Sequence, residues 1–166
     1  MAIYVIPYRT GGKTRLGDAD LADAMMRDVV EACKAAGADD VVIVRASGGQ
    51  GEAIAGVLVG RSGPVTIVNA DVPCVTAAEL RELTAAAPAL VAAADGTTNA
   101  LALRDASDFV PLYGPGSAAR YESVVRARRL ESPGLVDDVD TWSDLERVRD
   151  RCGAHTSRYL GTLAVA

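Results

Sequence analysis

Hydrophobic positions along the chain follow two patterns, short β-branched runs and longer stretches with helical spacing. The short runs predict strands at residues 3–7, 41–44, from 65 onward, 90–94, 99–103 and 135–139. The longer stretches predict helices at residues 20–36, 52–59, 77–87, 117–128 and 142–151. Strands alternate with helices in the first half and become mixed later. The pattern therefore predicts an α/β fold, a three-layer α/β/α sandwich with a mostly parallel mixed sheet.

Local signals mark several helix ends. Gly37 is expected to end the first long helix, because glycine adopts the left-handed conformation at a C-cap. Thr76 followed by Glu79 predicts a capping box, and Thr141 is expected to cap the helix that follows it. The tail from Gly153 is predicted to be a strand or loosely ordered chain.

Composition narrows the class of protein. A chain of 166 residues with 49% hydrophobic residues is expected to fold as one domain over 1–166. The net charge of −5 argues against a nucleic-acid partner. Three cysteines without ligand-like spacing predict reduced, buried thiols in a cytoplasmic protein. We expect no signal peptide and no membrane segment, and a homo-oligomer is compatible with the sequence.

The strand that begins at Val65 leads into an aspartate, Asp71, and then into Pro73. An aspartate beyond the carboxyl end of a parallel strand lies where α/β proteins bind their ligands. Such a carboxylate can hold a divalent cation and, through it, a phosphate group. The alternative is an ordinary turn aspartate at a strand end.

A second acidic segment contains Asp138 and Asp140 just before the Thr141 helix. Alternation in an extended segment directs both side chains to the same side. In one interpretation, one of these aspartates is a second metal ligand opposite Asp71. In the alternative, the aspartates only lie next to the helix cap and have no further role.

The early loop contains Gly12, Lys13, Thr14 and Arg15. A P-loop requires a glycine five residues before Gly12, and that position is Pro7, so the motif fails. A glycine-containing loop whose amides face a triphosphate, together with Lys13 and Arg15, fits better. The alternative is a flexible, solvated loop.

Two further turns carry candidate binding groups. Gly114-Pro115-Gly116-Ser117 places backbone amides and a hydroxyl at a helix start, which is an anion site or an ordinary turn with a serine cap. Arg120 lies one turn into the same helix. The stretch at 95–99 is a hairpin turn or a loop lined by hydroxyl groups.

Taken in order, these segments resemble a known family. They are Ile-Pro at 6–7, Lys-Thr-Arg-Leu at 13–16, Ala-Asp-Val-Pro at 70–73, Gly-Thr-Thr-Asn-Ala-Leu at 96–101, Tyr-Gly-Pro-Gly-Ser-Ala-Ala-Arg at 113–120 and Asp-Val-Asp-Thr-Trp-Ser-Asp-Leu at 138–145. The chain looks like the guanylyltransferases of deazaflavin coenzyme F-420 biosynthesis, which act on 2-phospho-L-lactate, phosphoenolpyruvate or 3-phosphoglycerate. Family members carry a Gly-Leu-Asn piece near the nucleotide, where this chain has Gly-Gln-Gly-Glu at 49–52.

The resemblance implies a fold of the nucleotide-diphospho-sugar transferase type and an enzyme that uses GTP with Mg²⁺. It implies a metal site at Asp71 and Asp140, to which we add Asp138 as a candidate ligand. The residues predicted to line the nucleotide are Pro7, Lys13, Arg15, Gln50, Gly51 and Asp71. The residues predicted to bind the phosphorylated acceptor are Thr98, Asn99, Gly114, Ser117 and Arg120. Catalytic roles are predicted for Lys13, Arg15, Asp71 and Asp140.

Three functional hypotheses follow. The first is transfer of GMP from GTP to a small three-carbon phospho-acid with release of pyrophosphate. The second is a nucleotidyltransferase for another phosphorylated metabolite. The third is a shortened, non-catalytic homologue that binds a ligand or a partner. The sequence leaves open which phospho-acid is the acceptor.

Overall fold

A computed structural model describes residues 1–8, 16–45 and 48–163 of the chain. Within these ranges, six strands form one sheet in the order β2-β1-β3-β5-β4-β6. The strands are β1 (Ile3–Tyr8), β2 (Asp40–Arg45), β3 (Val65–Val68), β4 (Ala89–Ala92), β5 (Thr98–Leu103) and β6 (Arg128–Arg129). The α-helices are α1 (Ala19–Ala36), α2 (Gln50–Leu58), α3 (Ala77–Ala85), α4 (Ser117–Val124), α5 (Pro133–Val136), α6 (Trp142–Val148) and α7 (Ala154–Leu163). Short 3₁₀ turns lie at Ala106–Asp108 and Arg149–Arg151.

The sheet is mixed and mostly parallel, as predicted. β1 pairs in parallel with β2 and β3, and β4 pairs in parallel with β6. β5 runs antiparallel to both of its neighbours, β3 and β4. The β1–β3 pairing ends at Val5 and Ile67, whereas the β1–β2 pairing continues to Tyr8. The strand pairing of β1 with β3 therefore stops before the carboxyl end of β1.

Alternate residues of the central strands pack on opposite faces of the sheet. In β1, Tyr4 and Ile6 belong to a core beneath α1, α3 and α5, and Ile3 and Val5 belong to a core beneath α2 and α4. Strands that are buried on both faces read as continuous apolar runs, which explains the sequence of β1 and β3. The three-layer α/β/α prediction is confirmed.

The predicted helix caps are also present. Gly37 ends α1 in the left-handed conformation with φ of 99°. Thr76 and Thr141 each form a capping box, Thr76 with Glu79 and Thr141 with Asp144.

The prediction of a strand at 135–139 is wrong, because Pro133–Val136 forms the short helix α5. Proline is favoured in the first turn of a helix, where its missing N–H is not needed. The carbonyl oxygens of Leu135 and Val136 accept hydrogen bonds from the Asn99 side chain at 2.9 and 3.2 Å. These carbonyls therefore need no strand partner.

The tail also differs from its prediction, because Ala154–Leu163 is the helix α7. Asp28 in α1 caps the first turn of α7. Its two carboxylate oxygens accept hydrogen bonds from the backbone N–H groups of His155 and Thr156. Asp28 precedes these residues by more than 120 positions. No local signal in the sequence marks such a cap.

Helix α4 ends earlier than predicted, at Val124. Arg126 adopts a positive φ of 55°, which ends the helix and turns the chain. Arg128 and Arg129 then form β6 beside β4, a strand too short to be read from its sequence.

The cysteines are free thiols, as predicted, and Cys33 and Cys74 are buried whereas Cys152 is half-buried. Across the residues that the structure describes, none of the helices combines the length and the apolar character that a membrane crossing requires.

Glu79 links α3 to α5. One carboxylate oxygen accepts hydrogen bonds from the backbone N–H and hydroxyl of Thr76. The other accepts from the Ser132 hydroxyl at 2.9 Å and from the Gly134 N–H at 2.7 Å. Burial acts to raise the pKa of Glu79, but these hydrogen bonds outweigh it and hold the pKa below its usual value.

We predict that Glu79→Gln lowers the free energy of unfolding by about 1–3 kcal/mol at pH 7, because the donors lose a charged, half-buried acceptor. A depressed pKa stabilises the fold above about pH 4.5, and the contribution disappears as the pH falls through the folded-state pKa. Urea unfolding at pH 7 and pH 3.5 measures both effects. Glu82→Gln, an exposed position of the same helix, is the control and is expected to change little. An equal loss at both pH values would contradict the prediction.

Candidate active site

The candidate site lies where the order of the strands reverses. β2 lies on one side of β1 and β3 on the other, and in α/β sheets ligands bind at the carboxyl ends of strands at such a switch point. Asp71 follows β3 by three residues and therefore lies beyond the carboxyl end of that strand. The position of Asp71 follows from the sequence, because the apolar residues just before it form a buried strand that ends near this aspartate.

Asp138 and Asp140 approach Asp71 from the segment between α5 and α6. One carboxylate oxygen from each of the three residues lies within 4.8 Å of the other two. Val139 between them is fully buried against Leu145 and Val148, and its backbone N–H donates to the Asp71 carbonyl oxygen at 2.8 Å. The predicted alternation is thereby confirmed, since the side chains of Asp138 and Asp140 share one side.

The three acidic side chains, which we call the Asp triad, are close enough for the charge of Asp140 to act on the pKa of both Asp71 and Asp138. Burial, with help from the negative charges of Asp138 and Asp140, raises the pKa of Asp71 to about 7. Burial also raises the pKa of Asp138, although the hydrogen bond from Asn99 opposes this. The cluster is therefore held at an electrostatic cost, which a bound cation would remove.

The triad fits a metal ion. Oδ1 of Asp71 is buried and receives no hydrogen bond from the described residues. A buried polar atom without a partner is rare in proteins, and three carboxylates are the hard oxygen ligands that Mg²⁺, Mn²⁺ or Ca²⁺ prefers. The group can hold one divalent cation.

Four of the predicted acceptor residues come together at the start of α4. The hydroxyls of Thr98 and Ser117 lie 2.9 Å apart and are buried, which ties β5 to this helix. Gly116 rather than Ser117 is the N-cap, so the serine is the first residue of α4. The structure therefore gives both hydroxyls a partner inside the protein.

Glycine is required in this turn. Gly114 and Gly116 have φ of 115° and 71°, a region that residues with side chains rarely adopt. Arg120 holds the turn, because its guanidinium donates to the carbonyl oxygens of Leu112 and Pro115. Arg120 thus shapes the Gly-Pro-Gly loop through contacts with the protein backbone.

Asn99 lies apart from the other predicted acceptor residues. Alternation along β5 directs Thr98 toward α4 and Asn99 toward α5. The Asn99 side chain is buried, and its Nδ2 lies 3.4 Å from Oδ1 of Asp138. The structure thus connects Asn99 to the Asp triad.

The predicted nucleotide residues in the described ranges line the same edge of the sheet. Pro7 is buried near the end of β1, and Gln50 begins α2. Gly51 has a packing role, because a Cβ there would lie 2.9 Å from Cβ of Pro111. Lys13 and Arg15 lie outside the described residues.

Asn69 is a site residue that the sequence reasoning missed. It lies between β3 and Asp71 and accepts a hydrogen bond at 2.9 Å from the Gln50 side chain. Its position, two residues before the strand-end aspartate, was the signal available in the sequence.

The sequence is similar to two curated phosphoenolpyruvate guanylyltransferases, and no family model matches the chain. One, from Sphaerobacter thermophilus, is 41% identical over 92 residues, covering 49% of this chain and 44% of the relative. The other, from Nocardia farcinica, is 37% identical over 99 residues, covering 56% of this chain and 44% of the relative. The chain thus spans less than half the length of the curated relatives it matches.

Solved structures share the fold at lower sequence identity. A structure described as a nucleotide-diphospho-sugar transferase from Desulfovibrio desulfuricans G20 has a TM-score of 0.69, 16% identity and coverage of 98% of this chain and 95% of that one. A nucleotidyl transferase from Methanothermobacter has a TM-score of 0.61, 18% identity and coverage of 96% and 99%. A Mycobacterium tuberculosis H37Rv protein in complex with manganese has a TM-score of 0.58, 20% identity and coverage of 90% and 97%. The predicted fold type, that of nucleotide-diphospho-sugar transferases, is confirmed.

We predict that Asp71→Asn raises the free energy of unfolding by roughly 1–3 kcal/mol at pH 8 in a chelating buffer. An acid with a raised folded-state pKa costs stability as the pH rises from its unfolded value, near 4, to its folded value, about 7. Asparagine resembles the protonated acid, so the gain is expected to vanish near pH 4. Thermal unfolding across this pH range measures it.

Asp137→Asn is the matched control for this prediction. Asp137 is adjacent to the triad but forms an ion pair with Arg151 at 2.6 Å. Removing its charge is therefore expected to lower stability slightly. A loss of stability in Asp71→Asn at pH 8 without metal would contradict the account of the triad.

Proposed function

We propose that the chain transfers GMP from GTP to a three-carbon phospho-acid and releases pyrophosphate. The candidate acceptors are phosphoenolpyruvate, 2-phospho-L-lactate and 3-phosphoglycerate, and we propose coenzyme F-420 biosynthesis as the pathway. The observation that carries the proposal is the Asp triad at the switch point of a nucleotidyltransferase-type fold. The guanylyltransferase name of both curated relatives supports the choice of nucleotide and acceptor class.

The residues of the triad would hold Mg²⁺, which usually binds one or two carboxylates together with substrate phosphates. When bound, the cation neutralises phosphate charge during the displacement. The manganese complex of a structural neighbour is consistent with a divalent ion in this fold.

The chain's own residues would bind and align the substrates. Pro7, Gln50 and Gly51 lie along the edge where the nucleotide is proposed to bind, and Lys13 and Arg15 are proposed to contact the triphosphate. The glycine turn at 114–116, with Thr98 and Ser117 at its base, would offer backbone amides to the acceptor's anionic groups. Arg120 would keep this turn in shape through its bonds to Leu112 and Pro115.

The chemistry does not require a general base. An oxygen of the acceptor phosphate is already negative at neutral pH and attacks the α-phosphorus of GTP. A bond forms between that oxygen and the phosphorus, while the bond to the bridging oxygen breaks and pyrophosphate leaves with the electron pair. Catalysis is then alignment together with charge neutralisation.

Release of pyrophosphate tests the proposal. Purified protein with Mg²⁺, GTP and each of the three acceptors is expected to release pyrophosphate with at least one of them. Asp71→Asn and Asp140→Asn are expected to lower the rate by at least about 100-fold, since charge stabilisation of the transition state is lost. No release with any acceptor would count against the proposal.

Asp137→Asn is again the control, because it removes the same charge one position from Asp138 while leaving the triad intact. It is expected to keep activity within about threefold of the parent. A panel of GTP, CTP, UTP and ATP in the same assay identifies the nucleotide. Activity with CTP or UTP alone would indicate a nucleotidyltransferase for another metabolite.

A further inference from the structure

The sequence contains three side-chain amides, Gln50, Asn69 and Asn99, and the structure places all of them in one line. Nε2 of Gln50 donates to Oδ1 of Asn69 at 2.9 Å. Nδ2 of Asn69 lies 3.4 Å from Oδ1 of Asn99. Nδ2 of Asn99 lies 3.4 Å from Oδ1 of Asp138. We call this line the amide chain; it runs from the start of α2 to the Asp triad.

All three amides point in the same direction. Each donates from its nitrogen to the next member of the line, so the N–H ends face the Asp138 carboxylate. Hydrogen bonds aligned in this way polarise one another. The amides are uncharged, so they orient a carboxylate without competing with a cation, as a lysine or arginine would.

Asn99 also fixes the backbone that carries Asp138. Its Nδ2 donates to the carbonyl oxygens of Leu135 and Val136, at the end of α5. The middle amide is attached to β5 as well, because Nδ2 of Asn69 donates to the Thr98 carbonyl oxygen at 3.2 Å. The position of Asp138 is therefore set from the rigid centre of the sheet.

We propose that Gln50, Asn69 and Asn99 are positioning residues that hold Asp138 toward the metal ion, with Asn99 in direct contact. The assignment rests on the proposed function in that it takes the Asp triad to be a metal site. Groups that hydrogen-bond to a metal ligand typically change metal affinity by 10–100-fold when they are removed.

Titration of the full chain with Mn²⁺, followed by the electron paramagnetic resonance signal of free Mn²⁺, tests the proposal without any enzyme assay. Asn99→Ala is expected to weaken Mn²⁺ binding by about 10–100-fold. Asn69→Ala is expected to weaken Mn²⁺ binding by about 3–10-fold. Because the hydrogen bonds from Asn99 to the α5 carbonyls remain in this variant, it covers the case in which Asn99→Ala does not fold. Gln50→Ala is expected to have the smallest effect.

A double variant separates positioning from general damage to the fold. Because Gln50 acts on Asp138 only through the other amides, Gln50→Ala combined with Asn69→Ala is expected to bind Mn²⁺ as Asn69→Ala alone does. Independent, additive losses would overturn the proposal.

Thr66→Val is the matched control. Thr66 is buried in β3, three residues before Asn69, and its hydroxyl lies 2.9 Å from that of Thr84. The variant loses a buried hydrogen bond beside the same strand and is expected to melt at a lower temperature with unchanged Mn²⁺ affinity. Asparagine variants that behave in the same way would overturn the proposal.

The outcomes distinguish this inference from the proposed function. Mn²⁺ binding by the parent with unchanged affinity in all amide variants overturns the inference alone. Graded losses of affinity in a chain that releases no pyrophosphate support the inference and remove the proposed function. A parent chain that binds no Mn²⁺ overturns both.

Discussion

Like charges held close together are the constraint on which this structure depends. Oxygens of Asp71, Asp138 and Asp140 lie within 4.8 Å of one another, and burial makes their repulsion stronger than it would be in water. Burial of the carboxylate, together with the charges of Asp138 and Asp140, raises the pKa of Asp71 to about 7, which expresses the cost of keeping this group ionised. A fold that keeps such a cluster must stabilise it from elsewhere, and a cation is the natural counterpart.

The stabilising contacts come from apolar packing and hydrogen bonds. Val139 is buried between the two acidic residues that flank it, and its N–H bonds to the Asp71 backbone. Glu79 holds the start of α5 and Asn99 holds its end. The segment that carries Asp138 and Asp140 is thus fixed at several points, and the adjacent Asp137 forms ion pairs with Arg147 and Arg151.

The two faces of β5 serve different parts of the site. Thr98 faces Ser117 and the glycine turn, whereas its neighbour Asn99 faces α5 and Asp138. Because side chains alternate along a strand, one short segment supports both the proposed acceptor loop and the proposed metal site. The antiparallel direction of β5 brings the start of the strand, rather than its end, beside the carboxyl end of β3.

Much of this molecule could be predicted from sequence, because local patterns dictate local structure. The apolar runs of β1 and β3, the caps at Thr76 and Thr141 and the alternation of Asp138 and Asp140 depend on neighbours a few residues away, and each is present. Helices α5 and α7 escaped prediction because their partners are distant in the chain. Glu79 and Asn99 support α5, and Asp28 caps α7 from more than 120 residues away.

The same distinction applies to the site. The sequence by itself predicted that Asp71 and the Asp138–Asp140 segment approach one another, because carboxylates beyond a strand and before a helix cap are local signals, and the structure brings the three side chains together. Only the tertiary structure decided that Asn99 faces the triad rather than the glycine turn, and that Asn69 joins it to Gln50. Those assignments depend on which face of β5 packs on α5 and on the approach of α2 to β3. Such contacts form between segments far apart in the chain, and no local pattern encodes them.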